Sequence, residues 1–327
     1  MISRRRLVAA LGASALSVPL STLGQQAKVY LIGYLANDPD RASPTFQAFA
    51  GALRELGWSE GKNIEILYLT SAGRDELFPS FAAKSVNENV DVIVTTGSAS
   101  TRAAMAATAT IPIVFGSAAN PVEQKFVASL ARPGGNVTGL ALFVQELASK
   151  RLQLLKEILP RATRFARLYQ ASTIVTIQPA ITREYDSAAQ RLGVTVQHIP
   201  VTGLEDIETA FVAAARDRFD AVTLLADSLL VVHRGFIAKR ALANRLPMMC
   251  PDGRFVEAGG LVSYGENFAS RYRRAAFLVD KILRGTKPAD IPVEQPTVFE
   301  LVVNVTTAKT LGVEIPEAIL LQAQSVT

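Results

Sequence analysis

Short polar turns follow several apolar segments, and these turns hold the side chains best suited to contact a small ligand. Thr96-Gly97-Ser98-Ala99 is one such turn, directly before an alanine-rich helical segment. Backbone N–H groups at a helix start, together with serine hydroxyls, suit a carboxylate. An ordinary helix N-cap needs the same residues. We expect Gly97, Ser98 and Ala99 to contact a ligand, because open α/β sheets bind ligands at the carboxyl ends of their strands.

Other apolar segments end in polar side chains that would face the same opening. Asp227 is the best candidate partner for a cationic group such as an α-ammonium, although it would equally serve as the cap of a helix beginning near Leu229. Three tyrosines could stack on a flat ligand or belong to the core: Tyr34, Tyr169 and Tyr264. The remaining candidates for ligand contact are Asn37, Ser117, Asn120, Gln170 and Asp252.

Signals for catalysis, metal binding or a cofactor are weak. His198 and His233 stand alone, and solvated or core positions are expected for both. The single cysteine, Cys250, has nothing basic beside it, so a buried structural thiol is expected. The sequence contains no nucleophile elbow, zinc-protease motif, calcium loop, Walker A motif or dinucleotide fingerprint. We therefore predict a protein that is not an enzyme, with no catalytic residues, metal or cofactor.

The first 24 residues have the pattern of an export signal. Arg4, Arg5 and Arg6 precede an apolar segment that ends at Leu20, and small residues follow. The start also fits the twin-arginine pattern, so Sec and twin-arginine export remain alternatives. No cysteine lies near the cleavage region. We expect a soluble periplasmic protein without a lipid anchor.

The net charge does not indicate a nucleic-acid partner. The formal charge of +5 includes three arginines of the signal, and 34 − 3 = 31 basic residues against 29 acidic residues leave +2. No basic run interleaved with aromatic residues occurs later in the sequence. We therefore expect no binding to DNA or RNA.

The elements that must position the candidate residues alternate along the chain. Its 327 residues, 49% of them hydrophobic, suit two domains. Apolar segments at 29–35, 64–69, 90–95 and 113–115 alternate with helical periodicity, and a second run has strands near 164–169, 194–199, 221–225 and 247–250. The alternation predicts an α/β fold of two doubly wound parallel-sheet lobes joined by a multi-crossing hinge.

Residues 111–139 mark the passage between the two runs. We expect a short strand there, then a loop around Asn120-Pro121, a short helix and a Pro-Gly-Gly turn. The predicted domains are the signal at 1–24, an N-terminal lobe at 25–139 plus 267–327, and a C-terminal lobe at 140–266. About three crossings would leave a hinge and a cleft for a small ligand.

Several long motifs resemble those of one known family. They are LRELGWSEGKNI at 53–64, VASLARPGGNVTG at 127–139, KRLQLLKE at 150–157, FVEAGGLVSYG at 255–265 and VEQPTVFELVVN at 293–304. Together they resemble the substrate-binding components of ABC transporters, in the tryptophan/tyrosine-binding-like group with periplasmic-binding-protein type I architecture. The family often has Asp where this chain has Asn120, so the resemblance implies a loop that lacks the formal negative charge for a cationic contact.

The resemblance implies an exported solute-binding protein. It would capture an amino acid or another small anionic or aromatic compound by closing two lobes over it, and deliver it to the membrane subunits of an ABC permease. A monomer is expected. The alternative is a periplasmic ligand sensor for a membrane signalling partner.

Overall fold

The computed structural model describes residues 28–142, 144–172 and 178–326. The expected export signal at 1–24 lies outside these residues. Within the described ranges, no helix has both the length and the hydrophobicity needed to cross a bilayer. The strands of these residues form two sheets, which define a first and a second lobe.

The first lobe is built on five parallel strands in the order β2-β1-β3-β4-β5. The strands are β1 (Tyr30–Ala36), β2 (Ile64–Thr70), β3 (Val92–Thr95), β4 (Ile113–Ala119) and β5 (Val137–Leu142). The covering helices are α1 (Pro44–Glu55) and α10 (Phe268–Leu283) on one face, and α2 (Phe78–Asn87) and α3 (Ser98–Ala107) on the other. Because β3 and β4 are buried along their whole length, they occur in the sequence as continuous apolar runs.

The second lobe repeats this winding and extends it by two strands. Its order is β12-β11-β10-β9-β8-β6-β7, in which only the β10–β11 pair is antiparallel. The strands are β6 (Arg164–Gln170), β7 (Thr195–Val201), β8 (Ala221–Leu224), β9 (Met248–Cys250), β10 (Val262–Gly265), β11 (Glu300–Asn304) and β12 (Gln324–Val326). The helices are α4 (Val144–Ile158), α5 (Gln178–Leu192), α6 (Leu204–Arg216), α7 (Ser228–Val232), α8 (Arg234–Ala243), α9 (Gly253–Glu257), α11 (Val305–Leu311) and α12 (Glu317–Leu320).

The predicted fold class is confirmed. Strands β7-β6-β8-β9-β10 have the same relative order as β2-β1-β3-β4-β5, so both lobes are doubly wound α/β units. The chain passes between the sheets after β5, after β10 and again before β11. These three passages form the hinge side of the molecule.

The expectation that residues 267–327 return entirely to the first lobe is wrong for the last strands. Helix α10 packs on α1 as expected, but β11 pairs with β10, with Val303 opposite Val262, and β12 pairs with β11. Leu301, Val302 and Val303 are buried. Buried backbone N–H and C=O groups need hydrogen-bond partners, so β11 must pair with another strand. The edge of β10 provides that partner, and along the edge of β5 the returning chain makes a bridge from Leu140 to Glu294.

The expectation for residues 111–139 is also wrong in part. Strand β4 continues to Ala119, and residues 137–142 form β5, which crosses the predicted boundary at 139. Residues 127–132 form bends rather than a helix. The Ser129 hydroxyl bonds both the N–H and the carbonyl of Arg132, and this local bonding competes with helical bonding.

Replacing Gly139 with Ala is expected to lower the free energy of unfolding by about 2 to 3 kcal/mol. Gly139 has φ +153°, and a Cβ there would lie within 2.1 Å of the Phe115 carbonyl oxygen, so β4 and β5 would have to separate. Gly135, four residues earlier, has open space around its Cβ position, and Gly135→Ala is the matched control. Urea denaturation measures both variants. Equal midpoints for the two would contradict the close approach.

Candidate ligand-binding site

A central cavity lies where the carboxyl ends of the two sheets face each other. The centre of a water molecule can occupy about 120 Å³ of this cavity. Since a single water needs about 10–15 Å³ of such space, the cavity has room for about ten water-sized groups, the size of a free amino acid. Its walls include Asn37, Asp75, Gly97 and Ser117 from the first lobe and Asp227 from the second.

Two carboxylates from different lobes mark one end of the central cavity. Asp75 stands in a 3₁₀ turn at Asp75–Leu77 of the first lobe, and Asp227 precedes α7 of the second. Burial, together with a smaller contribution from the charge of Asp75, raises the pKa of Asp227 to about 7. Burial also raises the pKa of Asp75. Two carboxylates whose pKa values are raised in this way favour a bound cation. A positive charge between them offsets both the cost of burying their negative charges and the repulsion between them.

The oxygens of these carboxylates have different partners. Asp227 caps α7: its Oδ1 accepts from Leu230 N at 3.0 Å, and its Oδ2 accepts from Gln170 N at 2.6 Å. In Asp75, Oδ2 lies 3.5 Å from Gln170 Nε2, whereas the buried Oδ1 has no hydrogen-bond partner among the described residues. Both sequence interpretations of Asp227 therefore agree with the geometry, since it caps a helix and also lines the cavity.

The start of α3 forms a second polar wall. Gly97 N donates to Ser100 Oγ at 3.1 Å, which fixes the turn, and Ser98 and Ala99 occupy the first helical turn. The first N–H groups of a helix have no intrahelical acceptor and carry a partial positive charge. Gly97, Ser98 and Ala99 all line the cavity, so this wall suits an anionic group such as a carboxylate.

Aromatic rings form the third wall. Tyr34 stacks on Tyr68 with ring centroids 5.5 Å apart, and Phe46 meets Tyr68 edge to face at 4.9 Å. Tyr272 of α10 completes this group, and all four rings line the cavity. Their faces and edges offer the offset and edge-on contacts that an aromatic ligand prefers.

Seven of the twelve predicted contact residues line the central cavity: Tyr34, Asn37, Gly97, Ser98, Ala99, Ser117 and Asp227. Two of the others support lining residues from behind. Gln170 bonds Asp227 and accepts from Leu229 N at 2.9 Å. Asp252 pairs with Arg254 at 2.8 Å, and it is Arg254 that reaches the cavity.

The three remaining predicted residues lie outside the lining. Asn120 has φ +43° and donates from Nδ2 to Glu123. The Arg167 guanidinium lies over the Tyr169 ring, with its Cζ 4.9 Å from the ring centroid. Tyr264 packs against Phe299 with centroids 6.0 Å apart. Each of these three side chains therefore contacts another residue of the protein outside the cavity lining.

Sequence reasoning missed Asp75, Tyr68, Arg254, Phe268 and Tyr272. Phe268 and Tyr272 lie on α10, which reaches the cavity only through the passage after β10, whereas Arg254 lies at the start of α9, shortly after the end of β9. Tyr68 and Asp75 both lie near the carboxyl end of β2. The rule that ligand contacts lie at strand ends could therefore have identified them.

The histidines and the cysteine take no part in the cavity lining. Cys250 is fully buried, and burial raises the pKa of its thiol, which agrees with the predicted structural role. His198 bonds Asp186 at 3.0 Å. Among the described residues, no group of three or more His, Cys, Asp or Glu side chains is placed to hold a metal ion.

Comparison with known proteins matches this chain to a family of substrate-binding proteins. Residues 38–327 match the family model described as ABC transporter substrate binding protein. The curated "Tyrosine-binding protein" of Clostridioides difficile (strain R20291) is 27% identical over 269 residues, which are 82% of this chain and 76% of that protein.

Two solved structures share the fold across nearly the whole chain. One is an ABC domain in complex with L-Trp from Streptococcus pneumonia, 22% identical with a TM-score of 0.82, covering 92% of this chain and 100% of that one. The other is the ligand-free, open structure of a substrate binding protein with adhesive properties from Clostridium difficile. It is 27% identical with a TM-score of 0.64, covering 91% and 99%.

Proposed function

The chain belongs to the family of ABC transporter substrate-binding proteins, and from this premise we propose that it captures a free aromatic α-amino acid in the central cavity. Proteins of this family bind solutes and are not enzymes. The observation that carries the proposal is the set of three walls around one cavity: two carboxylates, a helix start and a group of aromatic rings.

Each wall matches one part of an aromatic amino acid. The ammonium group would lie between Asp75 and Asp227, where the unpartnered Oδ1 of Asp75 accepts a hydrogen bond. The carboxylate would lie at the N–H groups of Ser98 and Ala99. The ring would lie against Tyr68 and its neighbours. The L-Trp in the Streptococcus complex and the name of the Clostridioides relative support an aromatic side chain.

Contacts between the lobes support capture by closure. Asp75 of the first lobe reaches Gln170 of the second, and the Cβ position of Gly73 lies 3.6 Å from Leu229 Cα. The TM-score is higher with the L-Trp complex than with the open structure, although the open protein is more similar in sequence. Both observations support the proposal that the described conformation is a closed state, which a ligand contacting both lobes would favour.

The remaining parts of the proposal follow from the family and the sequence. The closed protein would deliver its ligand to the membrane subunits of an ABC permease. The N-terminal 24 residues would direct export to the periplasm, where the protein would act as a monomer. The segment SRRRLV at residues 3–8 fits either the Sec or the twin-arginine export route.

Calorimetry and thermal unfolding test the proposed ligand class. The full chain is freed of co-purified ligand by unfolding and refolding, and the twenty amino acids are added singly. We expect tyrosine or tryptophan at 100 times its Kd to stabilise the protein by about 2.7 kcal/mol, equivalent to roughly 5 °C in Tm. Aliphatic amino acids and sugars are expected to give smaller shifts. Stabilisation by no aromatic amino acid would contradict the proposal.

Binding is expected to weaken about 10-fold between about pH 8 and about pH 6. The ligand-free pKa of Asp227 is raised to about 7, so this carboxyl gains a proton as the pH falls through 7. An ammonium neighbour lowers that pKa, hence binding must release a proton below pH 7. Calorimetry in two buffers with different ionisation enthalpies measures both the affinity and the released proton. An affinity that stays constant over this range would exclude an ammonium at Asp227.

A further inference from the structure

A second, smaller cavity adjoins the central one on the hinge side, and we name it the hinge annex. About 30 Å³ of it is open to the centre of a water molecule, which is room for two or three water-sized groups. It shares Leu142, Leu225, Ala226 and Phe268 with the wall of the central cavity. Its own residues are Leu147, Arg151, Pro251 and Glu266. The annex can hold the end of a ligand but not a whole ligand.

Glu266 gives the hinge annex an unused acceptor. The residue is only 6% exposed. Its Oε2 pairs with Arg271. Its Oε1 is buried and has no hydrogen-bond partner among the described residues. A buried carboxylate oxygen without a donor costs free energy, so this position favours a group that donates a hydrogen bond.

Arg151 gives the same annex a positive charge. The residue is 5% exposed, and its Nε and Nη2 donate to the carbonyls of Tyr264 at 2.7 Å and Pro251 at 2.8 Å. These acceptors are neutral, and no carboxylate in the described part of the chain lies within 4.0 Å of its guanidinium nitrogens. The annex therefore favours a group that offers a lone pair to Arg151 as well as a hydrogen-bond donor to Glu266.

We propose that the hinge annex is a subsite for a hydroxyl group at the far end of the ligand's side chain. A hydroxyl donates to Glu266 Oε1 and turns its lone pairs toward Arg151. An ammonium would meet the charges of Arg151 and Arg271, and a carboxylate would meet Glu266. The leucines, Pro251 and Phe268 suit the carbon atoms that carry the hydroxyl. This proposal rests on the proposed function, in which the amino and carboxylate groups are held in the central cavity.

Three ligands that differ only at the far end test the subsite in the unmodified full chain. They are L-tyrosine, L-phenylalanine and O-methyl-L-tyrosine. Calorimetry is expected to give tyrosine an affinity about 10-fold to 100-fold above that of phenylalanine, the range for a hydrogen bond to a charged group. O-methyl-L-tyrosine, which has lost the donor, is expected to bind no better than phenylalanine.

The variant Glu266→Gln tests the assignment to one oxygen. The amide keeps an acceptor for Arg271 but removes the charge, so the preference for tyrosine over phenylalanine is expected to fall to about threefold or less. The affinity for phenylalanine, measured in the same variant, is the reference for this ratio. The matched control is Glu257→Gln, an exposed carboxylate that does not line either cavity. Urea denaturation checks that both variants fold.

The outcomes separate the two proposals. If neither these three ligands nor tryptophan binds, the proposed function fails, and the subsite fails with it. If only tryptophan binds, the hydroxyl subsite alone is overturned. If tyrosine and phenylalanine bind equally well to the unmodified protein, the hydroxyl subsite alone is overturned and the annex holds only water. If tyrosine is preferred equally by the protein and by Glu266→Gln, another residue recognises the hydroxyl, which also overturns the assignment. The ligand series remains decisive even if the variant does not fold.

Discussion

Replacing Asp75 with Asn is expected to weaken binding of the aromatic amino acid about 100-fold, within the 2–5 kcal/mol range for losing one partner of a buried charge pair. Asp75 is the carboxylate whose buried Oδ1 has no partner among the described residues, and it lines the same end of the central cavity as Asp227. The amide keeps an oxygen that can accept a hydrogen bond. The loss therefore reports the missing charge rather than a missing contact. Calorimetry at neutral pH measures the change.

The same substitution is expected to leave the ligand-free protein at least as stable as the unmodified one. The pKa of Asp75 is raised by burial, so its ionised form opposes folding at every pH above the value in the unfolded chain. An amide removes this cost and the repulsion with Asp227. Weaker binding together with unchanged or higher stability distinguishes a ligand-binding role from a structural one.

Glu76→Gln is the matched control for Asp75→Asn. Glu76 is the next residue in the same turn, is exposed, and does not line the cavity. It is expected to change the affinity by less than about twofold, because exposed charges are screened by solvent. If Asp75→Asn and Glu76→Gln had the same small effect, the ammonium would not lie at Asp75.

The sequence was sufficient to predict the two-lobed α/β fold and several of the residues that line the central cavity. Buried parallel strands occur as continuous apolar runs, and residues that follow them lie at one edge of the sheet. This reasoning identified Asn37, Gly97, Ser98 and Ser117 in the first lobe and Asp227 in the second. All five line the central cavity.

The failures arose where tertiary structure decides the outcome. A strand alternates its side chains between two faces, so the position of Tyr169 or Tyr264 at a strand end did not reveal which face it occupies. Strand β11 was recognised as a strand, but its partner β10 could not be read from sequence alone. Tyr272 lies on α10, which the passage after β10 brings into the first lobe, where it joins the aromatic wall of the cavity. None of these placements depends on a local pattern.

A buried arginine at the hinge shows how such long-range placement is stabilised. Arg271 of α10 is 7% exposed and donates from Nε to Gly116 O at 2.6 Å and from Nη2 to Ala141 O at 2.8 Å. Nη2 also donates to Leu140 O, and Nη1 pairs with Glu266. The pairing register of β4 and β5 shifts between Phe115 and Ala118. One guanidinium thus bonds carbonyls at an irregular part of the sheet and fixes the chain after β10.

Replacing Arg271 with Met is expected to lower the free energy of unfolding by about 3–5 kcal/mol. Methionine fills much of the space, but it leaves the Glu266 carboxylate unpaired and removes a donor from three carbonyls. Burial lowers the pKa of Arg271 only to about 10, so the side chain is charged at neutral pH and its loss removes an ion pair as well as hydrogen bonds. Urea denaturation with a two-state fit measures the effect.

The helix itself supplies the control for Arg271→Met. Arg273, two residues further along α10, pairs with Glu55 on the surface, where both side chains are about half exposed. Arg273→Met is expected to cost less than about 1 kcal/mol, because exposed ion pairs contribute little. The double variant Arg271→Met/Glu266→Met is expected to regain part of the loss, since it removes the unpaired charge. If Arg271→Met cost no more than Arg273→Met, the guanidinium would not stabilise the hinge, and the passages between the lobes would depend on apolar packing alone.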